Sequence, residues 1–105
     1  MKKFDIKKLE AAITSKKVEG KYSLPDGYVL DSQFQDISFK NCEISNGSFS
    51  CSNFERCAFD RSIFSNVCFE YSTFIDCYFA ETFFKKCFLE ETKFIHCNNK
   101  PKINS

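Results

Sequence analysis

Residues 32–97 read SQFQDISFKNCEISNGSFSCSNFERCAFDRSIFSNVCFEYSTFIDCYFAETFFKKCFLEETKFIHC, and one position in every five of this stretch is never polar. Stepping by five gives Phe34, Phe39, Ile44, Phe49, Phe54, Phe59, Phe64, Phe69, Phe74, Phe79, Phe84, Leu89 and Phe94. The position two before each of these centres is also restricted, running through Ser32, Ile37, Cys42, Gly47, Ser52, Cys57, Ser62, Val67, Ser72, Cys77, Thr82, Cys87 and Thr92 to Cys97. All are small or medium-sized, while the other three places in each unit are mixed and largely polar, as in Gln35, Lys40, Glu55, Asp60, Arg61 and Asn66. A period of five fits neither a helix at 3.6 nor a strand at 2, so no ordinary amphipathic element keeps these residues on one side. A chain that turns a corner every five residues does.

Blocks such as SNFER, CAFDR, SIFSN, VCFEY and CYFAE resemble the pentapeptide-repeat family. The resemblance implies an all-β fold, a right-handed quadrilateral β-helix in which each unit makes one side and four units complete a coil. It covers residues 32–97. This chain departs from the family in using Phe where Leu is more common, and Cys, Ser and Thr where Ala is more common. With four units to a coil, residues twenty apart stack at the inter-strand spacing of roughly 4.8 Å. The expected interior columns are then Phe34, Phe54, Phe74, Phe94; Phe39, Phe59, Phe79; Ile44, Phe64, Phe84; and Phe49, Phe69, Leu89.

Short solenoids need their terminal coils covered. Ile6, Leu9, Ala12 and Ile13 recur at helical spacing, with Lys7, Lys8, Lys16 and Lys17 left for solvent, which predicts an amphipathic capping helix over residues 5–17. Leu24 and Val29 fall on the five-residue phase around the turn signal Pro25-Asp26-Gly27, so a distorted lead-in coil is expected around residues 22–31. The domain reading is therefore a helix and lead-in cap at 1–31, the β-helix at 32–97, and a loose polar tail at 98–105. Nothing in the sequence predicts a C-terminal cap. Outward positions nearby turn apolar, and Ile75, Tyr78, Phe83, Phe88 and Ile95 form the expected interface, the alternative being that the tail or the lead-in covers part of them.

At 105 residues there is room for one domain, and fourteen Phe against three Gly and no Trp assign the core to aromatic burial. The formal net charge of +1 argues against both a strongly basic nucleic-acid binder and a polyanion. The odd count of seven Cys and an N-terminus without an apolar h-region predict reduced thiols and a cytoplasmic protein, and the heavy use of Lys, Asn, Ile and Phe is compatible with an AT-rich bacterial genome. No apolar run approaches the roughly 20 residues a membrane helix needs.

Chemistry is not expected. Cys42, Cys57, Cys77, Cys87 and Cys97 occupy the small inward position and read as compact hydrophobes. No CxxC pair exists, so no metal site is predicted, and no cofactor. Cys51 and Cys68 point outward, open to oxidants, and apart from Arg56 or Arg61 nothing near them suggests an activated thiolate. His96, the only histidine, points away from its neighbour Cys97, which removes a Cys-His couple, and Glu90 and Glu91 read as solvated corner residues. The reading is a non-catalytic interaction or scaffold module with no catalytic residues. It is expected to self-associate as a homodimer through its C-terminal coil, with a further protein partner unidentified. The alternative comes from the resemblance: some family members mimic duplex DNA and bind DNA gyrase. Nine acidic against six basic residues over 32–97, with Lys85, Lys86 and Lys93 interrupting, weigh against it.

Overall fold

A computed structural model describes residues 4–30 and 32–104. The described residues form one helix, α1 (Ile6–Ser15), followed by β1 (Lys17–Val29), β2 (Gln33–Gln35), β3 (Ser38–Ser48), β4 (Asn53–Glu55), β5 (Ala58–Asp60), β6 (Ile63–Ser65), β7 (Thr73–Ile75), β8 (Tyr78–Ala80), β9 (Phe83–Lys85), β10 (Lys93–Ile95) and β11 (Lys102–Asn104). All strand pairings are parallel. This is the expected quadrilateral β-helix, of about four turns.

Each centre has its predicted neighbours twenty residues away. Phe34, Phe54, Phe74 and Phe94 pair in one column, Phe39, Phe59 and Phe79 in the next, and Ile44, Phe64 and Phe84 in the third. Bridges from Ser48 through Cys68 to Phe88 hold the fourth, which contains Phe49, Phe69 and Leu89. We refer to these as the first to fourth sides. Along the first two columns the rings lie near-parallel at centroid distances of 4.8 Å for Phe34 on Phe54, 4.5 Å for Phe54 on Phe74 and 4.7 Å for Phe39 on Phe59. The backbone spacing thus sets the stacking distance. The third column differs: over Ile44, Phe64 and Phe84 meet edge to face at 5.5 Å, and Phe84 stacks instead on Phe69 at 4.6 Å.

The corner is made by backbone conformation. Thirteen residues two after a centre, from Asp36 and Asn41 to Glu91 and His96, have positive φ between 48° and 73°, and none is Gly. Each left-handed residue redirects the chain, and its N–H reaches the coil above in bonds such as Arg56 to Ile75 O and Asp76 to Ile95 O.

The N-terminal end is closed as predicted by the helix. Leu9 is fully buried, while Ile6, Ala12 and Ile13 pack on the core. The Lys16 left-handed C-cap turns the chain straight into β1. The lead-in begins earlier than expected, at Lys17, and it breaks the twenty-residue phase. Tyr22 pairs with Ile44 and Val29 with Ser48, separated by irregularities after Val18 and Ser23. Consequently Leu24 is buried but Val29 is 56% exposed. The slip is accommodated at Gly47, where an added Cβ would overlap Leu24 Cδ1, so Leu24 occupies the space that a side chain fills in the other units.

The tail corrects the expectation of a loose segment from residue 98. Asn98 bridges Tyr78, and β11 pairs with β9. The polar sequence NNKPKINS hid this because the register shortens by one residue: Asn98 lies over Tyr78 but Ile103 over Phe84. Ile103 thereby takes a centre position and Pro101 is buried beside it.

Candidate interaction surface

The inward small position does more than save space. Its side chain donates to the carbonyl of a centre one coil below, through Ser62 to Phe39 O at 3.3 Å, Ser72 to Phe49 O at 2.5 Å and Thr92 to Phe69 O at 2.7 Å. Thiols do the same: Cys57 to Phe34 O at 3.4 Å, Cys77 to Phe54 O at 3.3 Å, Cys87 to Phe64 O at 3.2 Å and Cys97 to Phe74 O at 3.3 Å. A hydroxyl or thiol here satisfies a carbonyl inside the wall, which explains Ser, Thr and Cys better than volume alone. Sequence reasoning missed this role, although the shared donor chemistry was visible.

All seven cysteines are free. Burial pushes the Cys42 and Cys87 thiols up to about 11, and the contact with Cys57, followed by burial, holds the Cys77 thiol protonated. A thiol held in its protonated form is a poor nucleophile. Among the described residues no group of three or more His, Cys, Asp or Glu is placed to hold a metal. Cys51 is exposed at a corner, and Cys68 is partly covered with its sulfur 3.0 Å from Ser50 Oγ. His96 lies on the surface with Nδ1 4.0 Å from Asp76. It continues the corner column Asp36, Arg56, Asp76, in which Arg56 Nε meets Asp36 at 2.9 Å and its hydrogen bond holds the Asp36 carboxyl below the usual range.

The five outward apolar residues do not form one patch. Ile75 and Ile95 are paired neighbours on the first side, and Tyr78 lies just around the corner on the second. Phe83 is on the third side above Ile63, with Lys85 and Lys102 ammonium groups 6.0 and 5.5 Å from its ring centre, and Phe88 is on the fourth. They surround the C-terminal half instead of sharing a face.

The centres themselves become exposed toward the C-terminal end. Every centre from Phe34 to Phe84 is at most 3% exposed, whereas Leu89 and Phe94 are only partly buried and Ile103 is 56% exposed. These three residues, on the fourth, first and third sides, mark the apolar part of the C-terminal end. Ile103 was missed because it lies off the five-residue phase.

Among the described residues no helix is long and apolar enough to cross a membrane. No family model and no curated protein matches the sequence. The structure is similar to the crystal structure of a pentapeptide repeat protein from the cyanobacterium Cyanothece 51142, with a TM-score of 0.56 and 8% identity over 94% of this chain and 98% of that one. The likeness shows the fold: this β-helix is of the pentapeptide-repeat type.

Proposed function

We propose that this chain, a β-helix of pentapeptide-repeat type, is a non-catalytic interaction module that self-associates as a homodimer through its C-terminal coil. The asymmetry of the two ends carries the reading. At the N-terminus α1 buries Leu9 completely, while the last described coil leaves Leu89, Phe94 and Ile103 uncovered. Exposed apolar area of this kind favours a protein contact, and a coil end with unpaired backbone edges favours a matching coil. The donor role of the inward thiols and hydroxyls gives these groups a structural task, which supports a non-catalytic reading.

The alternating corner column Asp36, Arg56, Asp76, His96 interrupts any continuous acidic face, which supports this reading over DNA mimicry and gyrase binding. Sedimentation velocity over a concentration series tests it. The wild-type chain is expected to dimerise, and Ile103→Asp, which places a charge on the end face at an already exposed position, is expected to be monomeric and folded. A wild-type monomer at the highest concentration overturns the reading.

A further inference from the structure

We infer that two C-terminal coils meet about a two-fold axis passing through the corner at Lys86 and the opposite corner at His96, so that the third side of one copy continues as the fourth side of its partner. This rests on the self-association proposed above and specifies its geometry. A closed dimer uses the same surface on both copies, with the axis in the plane of the end face. For two square ends with aligned sides only four axes exist, two through opposite sides and two through opposite corners.

Exposed charges around the last coil separate them. Lys93 is on the first side, Lys100 follows the left-handed Asn99 beside the Glu81 corner, Lys102 is on the third side, Glu90 is on the fourth, and Glu91 is at the next corner. An axis through the first and third sides sets Lys93 against Lys93 and Lys102 against Lys102. One through the second and fourth sets Glu90 against Glu90 and Lys93 against Lys102, although Glu91 then meets Lys86. The axis through the Glu91 and Lys100 corners brings each of those residues to its own copy, although Glu90 then meets Lys93. Only the axis through the Lys86 and His96 corners sets Glu90 against Lys102 and Glu91 against Lys100, each twice by symmetry; the like charges it brings together are those of Lys86, and of His96 when protonated.

The shape of the end selects the same axis independently. Asn104 pairs with Lys85, so the last described coil is a spiral ramp that ends one strand spacing above its start, at the Lys86 corner. Two identical ramps close without a gap only when the axis passes through the step, because the height one loses around the turn is then the height the other gains.

Two charge-swapped variants test the axis. Glu90→Lys with Glu91→Lys makes the four paired positions all basic, and Lys100→Glu with Lys102→Glu makes them all acidic. Each alone is expected to weaken dimerisation at least about tenfold at low salt, and an equimolar mixture to restore it as a heterodimer. Dimerisation of both variants at wild-type strength, or a mixture no stronger than its components, overturns the axis while leaving self-association standing. A monomeric wild-type chain overturns the self-association reading itself.

Discussion

Two positions in each five-residue unit carry specific costs. The corner residue sits in the left-handed region, where a side chain other than Gly, Asn or Asp costs about 1–2 kcal/mol. Tyr71, with φ 61° and 57% exposed, bears that cost with little burial in return. Tyr71→Asn is therefore expected to raise stability by up to about 1 kcal/mol, seen as a higher thermal midpoint; a lower midpoint would show the ring contributing packing that outweighs the strain. The small inward position works by donation. Ser72→Ala is expected to cost about 1 kcal/mol by stranding Phe49 O, and Ser72→Cys much less, in chemical denaturation. The five-residue period and the inward size limit were legible because burial selects them directly. The donor ladder was not, since Ser, Thr and Cys satisfy a size rule and a hydrogen-bonding rule equally well.

At the scale of elements, sequence and structure agree wherever the phase is kept. The columns from Phe34 to Phe94 pair as the spacing predicts, and α1 closes the N-terminal end with the residues at helical spacing. Disagreement arises at both register slips. Between Val18 and Val29 the lead-in shifts against β3, so Leu24 rather than Val29 enters the core, and beyond Asn98 one residue is skipped, so Ile103 stacks on Phe84. A fixed period cannot reveal where a chain gains or loses a residue at a corner, because the corner side chains face solvent and carry no pattern. Leu24 and Gly47 form one packing unit across the first slip. Gly47→Val is expected to destabilise by about 1–3 kcal/mol in denaturant titration, and Leu24→Ala in that background to recover part of the loss. An unchanged midpoint for Gly47→Val would contradict the placement of Leu24.

The described residues fill a prism of 42 × 28 × 23 Å, with α1 packed over the first coil and Leu89, Phe94 and Ile103 incompletely buried in the last described coil. The expected interface residues Ile75, Tyr78, Phe83, Phe88 and Ile95 were legible as an apolar drift, but the sides to which they belong required knowing that four units make one coil and where the corners fall. Once placed, they divide among all four sides, and the end face of Leu89, Phe94 and Ile103 replaces them as the candidate contact. In the coil below, the amides of Tyr71 and Asp76 donate upward to Glu90 O and Ile95 O. The equivalent amides one coil later, those of Glu91 and His96, face the open end. Residue-resolved hydrogen exchange at low and high protein concentration tests the central claim of association through that end. Glu91 and His96 amides are expected to exchange more slowly as concentration rises while those of α1 are unchanged; exchange at the C-terminal coil that is independent of concentration would rule out association through that end.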